Sequence, residues 1–259
     1  MPGGFESLLK ALGQRDLITP YFEAGMLADN WPPYYDIRID SRPYYGAGDG
    51  YFHPSTHPMM GERQLYYIFH PDYADELAFE RNSVQRQMTL AMGSALHGVI
   101  QTQMEMCKLV TREDIEVEYI NRAHHVRGRI DWVTNHPSVG RLPVEFKTRT
   151  HFKWARQEAP EPSWVAQLNL GLDSQDCDLG VLLMAESGFP YRLREFHIKR
   201  DRQLLDGIYE KFDRVREAIR NNEPPRHCCG PGDKKTIDAC PARFCCWLAD
   251  EAPLGGRHG

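Results

Sequence analysis

Two short strings joined by a turn constrain this chain more than any other feature. Gly128-Arg129-Ile130-Asp131 and Val144-Glu145-Phe146-Lys147 each lie in a run of strand-forming residues. Between them, Asn135-His136-Pro137-Ser138-Val139-Gly140 is dense in turn formers. A hairpin centred near Ser138 sets Asp131 opposite Glu145. Side chains alternate along a strand, so Glu145 and Lys147 share one face while Val144, Phe146 and Thr148 share the other. On the first strand Arg129, Asp131 and Val133 go together, and Ile130 and Trp132 point away. The expected product is an apolar underside with two carboxylates and one ammonium on top. Carboxylates at cross-strand distance repel unless positive charge lies between them. A divalent cation beside Lys147 supplies that charge. An ordinary surface pair from Asp131 to Lys147 across the diagonal supplies it too, and the hairpin alone favours this plainer reading.

At 259 residues the chain buries a substantial core, as one large domain or a domain with an appendage. Residues 1–60 mix prolines, glycines and aromatics, a composition expected to wrap over a core, with short helices near 6–13 and 17–27. Another short helix is expected over 61–69. From Asn82 or Ser83 a long helix runs to about Lys108, with Met88, Ala91, Ala95, Val99 and Thr102 as its buried stripe. Strands follow near 114–121, 125–134 and 142–149, then a helix over 163–173. Strands near 179–186 and 190–198 precede a helix over 201–221, which stops before Pro224-Pro225. This order predicts an α/β fold, a mixed sheet flanked by helices. The expected division is an irregular and helical wrap over 1–80, a core over 81–222, and a Cys-rich module over 223–259 packed on it.

The formal net charge is −5, so nucleic-acid binding would require a local patch or metal ions. Basic residues cluster at Lys147, Arg149, His151, Lys153 and Arg156, and again at Arg192, Arg194, Lys199, Arg200 and Arg202. Met1 to Gln14 has no basic segment followed by an apolar core, and no apolar run is long enough to cross a bilayer. The expectation is a cytoplasmic protein without a membrane partner, in which thiols stay reduced. Its seven cysteines then point to metal binding or buried thiols. Cys228, Cys229, Cys240, Cys245 and Cys246 fall within nineteen residues, at spacings that can close a tetrahedral site. Zinc and a 4Fe-4S cluster both take Cys ligands, and the residues do not choose between them. Buried small apolar cysteines are the alternative. Cys107 and Cys177 are expected to be structural.

His97 lies one helical turn after Gly93, on the same side, and offers an imidazole suited to manganese or to a place beside magnesium. The ordered set of helix His, strand Asp and strand Glu-x-Lys resembles the PD-(D/E)xK nuclease superfamily, in its RecB-like and CRISPR-associated exonuclease branch, phage-encoded members included. Gly93-Ser94-Ala95-Leu96-His97 resembles the branch's G-x-x-x-H helix. Gly128 to Asp131 resembles its G-x-x-D strand, and Glu145-Phe146-Lys147 its E-x-K strand. Gln167 resembles the Gln of its Q-x-x-x-Y helix. His53-Pro54-Ser55, followed by Glu62-Arg63-Gln64-Leu65-Tyr66-Tyr67, is similar to its opening motif. The chain departs from the pattern twice. Gly171 stands where the helix motif has Tyr. Gly61 stands where the opening motif has a Cys that is one of four cluster ligands in the iron–sulfur members.

The resemblance implies a restriction-endonuclease-like core and a magnesium- or manganese-dependent DNA exonuclease acting on ends or single strands. Recombination, repair or phage DNA replication would be its setting, with recombination or replication proteins as partners. By the same resemblance Asp131 is the central metal ligand, and Glu145, His97 and the Phe146 carbonyl complete the set. Lys147 would hold or help deprotonate the attacking water, and Gln167 would orient Lys147 or the substrate phosphate. Arg149, Lys153 and Arg156 follow the catalytic strand and are placed to take the phosphate backbone. Trp154 and Trp164 could stack on bases, with core packing the favoured role. Glu118 is either an outer carboxylate or a solvent-facing strand residue. A competing class is a catalytically silent nuclease fold that binds nucleic acid, with the Cys module as a structural clip. A Cys-rich redox protein would leave Asp131, Glu145 and Lys147 without a purpose.

Overall fold

The computed structural model describes residues 16–28, 31–37, 48–79, 83–188 and 191–248. The helix expected near 6–13 lies outside these residues. The helices are α1 (Thr19–Leu27), α2 (Glu62–Phe69), α3 (Val84–Met106), α4 (His151–Arg156), α5 (Pro162–Ser174), α6 (Arg202–Asn221) and α7 (Lys234–Ala239). The strands are β1 (Ile115–Asn121), β2 (Val126–His136), β3 (Gly140–Arg149), β4 (Leu179–Glu186) and β5 (Leu193–Lys199). They form one five-stranded sheet in chain order. β2 and β3 are antiparallel, β3 and β4 parallel, and β4 and β5 antiparallel. The parallel step needs a crossover, which carries α4 and α5. The mixed α/β sheet expected from the element order is therefore present.

The chain gathers into two compact units. The first lies within Met1–Ser41, Gln85–Tyr119 and Gly128–Asp201. Its interior strand β4 is buried along its whole length, which explains why Leu179 to Ala185 reads as a continuous apolar run. Leu179, Val181, Leu183 and Ala185 face one side, with Trp132, Val144 and Phe146 and with Ile100 and Met104 of α3. Leu182 faces the other side, with Ile198 of β5 and Leu168 and Leu172 of α5. Each such side chain contributes about 2 kcal/mol on leaving water. The start of α1 is fixed from afar. The buried Glu195 carboxylate on β5 accepts the N–H groups of Leu17, Ile18 and Thr19 at 2.7, 2.9 and 2.5 Å. Free N–H groups at a helix start favour a negative charge there.

The stripe expected on α3 needs correction. Met88 is 58% exposed, and the buried positions are Ile100, Gln101, Gln103 and Met104. Helical periodicity marks a face, but only the second half of this helix has a sheet to lie on.

The second unit lies within Arg42–Val84, Ile120–Arg127 and Arg202–Gly259. Phe52 stacks on Phe212 of α6 at 4.1 Å between ring centroids and packs on Phe69 of α2 at 4.5 Å. Lys211 Nζ donates to the Pro58 and Met60 carbonyls, and Arg214 pairs with Glu62. The C-terminal segment folds as α7 and a short π-turn over Phe244–Leu248. Cys240, Cys245 and Cys246 pack with Ala242, Tyr66, Tyr67 and Trp247 in one apolar cluster. All seven cysteines are free.

Candidate active site

The site forms where β2 leaves β3. The pairing between them runs from His136↔Gly140 to Trp132↔Val144, so the hairpin is centred on Ser138 and the next pair outward is Asp131 with Glu145. There the ladder stops. The Phe146 N–H donates to Asp131 Oδ2 at 2.6 Å, so a side chain takes the backbone donor. The break also alters which way residues face. Strict alternation puts Ile130 beneath with Trp132. Instead Ile130 packs at Gly171 of α5, on the Leu182 side of the sheet, while Trp132 stays in the cluster with Phe146. A strand released from its partner is free to turn, and here the Asp131 carboxylate comes back onto the Phe146 N–H.

Two helices bring the remaining groups. His97 on α3 places Nδ1 3.6 Å from Asp131 Oδ1, and its ring meets Phe146 edge-on at 4.8 Å. Gln101, one turn further along α3, donates to the Asp131 carbonyl at 3.2 Å and to Glu116 Oε1 at 2.6 Å. On the other face, Gln167 of α5 donates to Glu145 Oε1 at 2.6 Å and accepts from Lys147 Nζ at 2.9 Å. Lys147 Nζ also bonds Glu145 Oε1 at 2.7 Å. The top of the hairpin is therefore not an open face. Glu145 is 3% exposed, because α5 lies over it.

Burial and proximity set the charges. Burial first, and then Asp131, push the Glu145 carboxyl up to about 7 against the pull of Lys147. Burial works against ionising Asp131, but His97, Lys147 and the Phe146 N–H together hold its carboxyl below the usual range. Burial also works against charge on His97 and Lys147, and the carboxylates outweigh it, so both are raised. One carboxylate is firmly ionised, the second is held back, and Lys147 is a committed ammonium.

The other residues anticipated from sequence are distributed unevenly. The Phe146 side chain is core, and its N–H is bound to Asp131. Arg149 is paired with Glu161, and its guanidinium stacks on Trp164 at 4.3 Å, so it is engaged within the fold. Lys153 and Arg156 are exposed on α4, with Arg156 stacked over the Phe152 ring at 3.7 Å. Trp154 is buried beneath Arg192 and Arg194. Glu118 is exposed. Gln101 and Glu116 are site residues that sequence reasoning missed. Gln101 had a signal, its place four residues after His97 on the same helix face. Glu116 had none in the sequence, although its φ of 56° marks a strained position for a residue with a side chain. Among the described residues, no three His, Cys, Asp or Glu side chains meet at a ready-made metal-binding point, here or at the C-terminal cysteines.

No protein-family model matches the chain, and no curated protein matches it. Among solved structures it is similar to SSO0001, with a TM-score of 0.47 and 14% identity over 90% of this chain and 97% of that one. It is similar to an alkaline exonuclease, LHK-Exo, from Laribacter hongkongensis, with a TM-score of 0.43 and 12% identity over 67% of this chain and 89% of that one. The same exonuclease in complex with dAMP gives a TM-score of 0.41 at 12% identity, with the same coverage of 67% and 89%. These likenesses are of fold at low identity. The chemistry is read from the residues themselves. Among the described residues, no helix is long and apolar enough to cross a membrane.

Proposed function

We propose that this protein is a metal-dependent DNA exonuclease of the PD-(D/E)xK type, in the RecB-like branch. The observation that carries the reading is the meeting of Asp131, Glu145, Lys147, His97 and Gln167, from two strands and two helices, where β2 and β3 part. The donor set fits magnesium or manganese, being two carboxylates with one imidazole. The charge balance fits as well, since burial, and then the Asp131 carboxylate, hold Glu145 at about 7. A bound divalent ion supplies charge to the attacking water and to the phosphoryl oxygens.

The chain's own residues do the rest. Asp131 and Glu145, with His97, would hold the ion. Lys147 is an ammonium donor that steadies the developing negative charge at phosphorus. In the metal-free arrangement it is not a base, since both carboxylates raise it. Gln167 is a positioning residue that fixes Lys147 against Glu145. Gln101 holds the Asp131 backbone in place. Lys153 and Arg156 would take the backbone of the departing strand, with Arg149 supporting α5 through Glu161. DNA ends or single strands are the substrate, and recombination, repair or phage DNA replication is the setting.

End-labelled single- and double-stranded DNA, incubated with magnesium, manganese or chelator, tests this. Digestion should require metal and fall by roughly a hundredfold or more in Asp131→Ala. No digestion in any metal, or an unaffected variant, sinks the reading. DNA binding without digestion would leave a nuclease-fold binding protein.

A further inference from the structure

The sequence carries two basic runs, one ending at Arg156 and one beginning at Arg192, and the fold of the first unit brings them together. They meet on an anion. The Glu186 carboxylate, at the end of β4, is fully buried. His151, which opens α4, engages its Oε1 through Nδ1. Arg192, just before β5, donates from Nε to its Oε2 at 2.8 Å. A buried carboxylate is costly unless it is paired, and here it is paired twice. The two cations are not buried with it: His151 is 64% exposed and Arg192 41%. We propose that His151 and Arg192, held side by side on Glu186, form a phosphate subsite that grips the DNA strand near the bond that is cut. The identity of the ligand as DNA rests on the nuclease reading.

Each cation keeps donors for a ligand. Arg192 gives Nε to Glu186, and its terminal nitrogens remain. Its guanidinium lies over the Trp154 ring at 4.1 Å, which limits how it can turn. An imidazolium donates from both nitrogens, so His151, with Nδ1 on Glu186, has Nε2 for a phosphate oxygen. Arg194 adds charge without a carboxylate of its own. It also lies over Trp154, at 4.2 Å, and donates to neutral acceptors, the Trp154 and Gln157 carbonyls. Lys153 and Arg156 are exposed on the same short helix as His151. Positive charge is thus concentrated around one buried carboxylate, and an anion relieves the repulsion among the cations.

The strand register places this cluster beside the candidate active site. β3 and β4 run parallel, with Lys147 opposite Met184 and Arg149 opposite Glu186. Partners across a ladder project from one face, so Glu186 shares the face of Glu145 and Lys147. It stands two residues beyond the level of Lys147, about 7 Å along the strand. A stacked DNA strand advances about 3.4 Å per nucleotide, so the subsite takes a phosphate about two nucleotides from the one at Lys147. Arg149, at the same level as Glu186, is already engaged by Glu161 and Trp164, which leaves His151 and Arg192 as the donors there. Glu186 is a positioning residue. It acts through the two cations, and its own charge opposes DNA.

The test reads binding, so it needs no cleavage. Fluorescence anisotropy of a labelled oligothymidylate with the full-length protein, in chelator and over a range of salt, gives Kd and its salt slope. Arg192→Gln and His151→Gln should each weaken binding by roughly tenfold. Arg192→Gln should also lower the slope of log Kd against log salt by about 0.7, and Arg192→Lys, which keeps the charge, should keep the slope. Glu186→Ala is the sharper arm. It makes the protein more positive, so general attraction predicts tighter binding, whereas loss of the subsite predicts weaker binding. Circular dichroism shows which variants are folded. A defect with hydroxyl-ended DNA assigns an internal phosphodiester as the group held, and one seen only with phosphate-ended DNA assigns a terminal phosphate. Wild-type affinity in folded Arg192→Gln and His151→Gln, or tighter binding by Glu186→Ala, overturns the subsite. Weakened variants of a chain that digests nothing leave the subsite standing and refute the nuclease reading. Metal-dependent digestion with unaltered binding does the reverse.

Discussion

Replacing Glu145 by glutamine should make the metal-free protein more stable at pH 8 relative to pH 4, although the same change should abolish nuclease activity. The Glu145 carboxyl titrates at about 7 in the folded protein, against 4.5 for an unburied glutamate. Because the folded value is raised, the stability contributed by the neutral carboxyl is complete below pH 4.5 and is lost as pH rises through 7. Each pH unit of that gap corresponds to about 1.4 kcal/mol, so the loss comes to about 3 kcal/mol. Glutamine cannot ionise and escapes it. The bonds to Lys147 and Gln167 that the substitution weakens are weakened at both pH values, and they largely cancel in the comparison. Urea denaturation of both proteins in chelator at pH 4 and pH 8 measures the quantity. The variant should gain about 3 kcal/mol on the wild type between the two. Magnesium or manganese at pH 8 should then raise the wild type and leave the variant almost unmoved. A stability difference that is flat with pH would refute the claim that burial and Asp131 strain this carboxylate.

Two further outcomes bear on the rim of the site and on the second unit. Gly171→Tyr places a Cβ 3.2 Å from Ile130 Cγ1 in a buried position, so it should lower stability by about 2 kcal/mol or more, read as a drop in Tm. Adding Ile130→Ala to that variant should recover part of the loss. An unchanged Tm would mean that the packing of α5 on β2 is looser than the contact implies. His57 is buried, and burial, followed by His53, pushes its imidazole down to about 4. The unfolded chain therefore takes a proton near pH 6.5 that the folded protein refuses, and stability should fall by about 2 to 3 kcal/mol as pH drops from 7.5 to 4.5. His57→Gln should flatten that slope. An equal slope in both proteins would place the acid sensitivity elsewhere.

How much of this was legible in the sequence follows from the range of each force. Alternation, turn chemistry and helix periodicity act over a few residues. They placed β1 to β5 within a few residues of their observed ends, centred the hairpin on Ser138, and set Asp131 opposite Glu145. The pairing of His97 with Asp131 was legible only through the order of motifs, because no local spacing links a helix to a strand some thirty residues on. Tertiary structure decided the rest. The ladder ends at Trp132, and that sends Ile130 and Trp132 to opposite faces against the rule of alternation. Arg149, which reads as a free cation in the sequence, is spent on Glu161 and Trp164. Glu145 reads as a surface residue and is buried because α5, from beyond the hairpin, covers it. Gly61 departs from the motif it resembles, and only packing shows that Cys228 takes up the space a side chain there would need. A sequence records which groups are present and how neighbours along the chain must point. Which distant groups share one volume is settled by close packing of the whole chain.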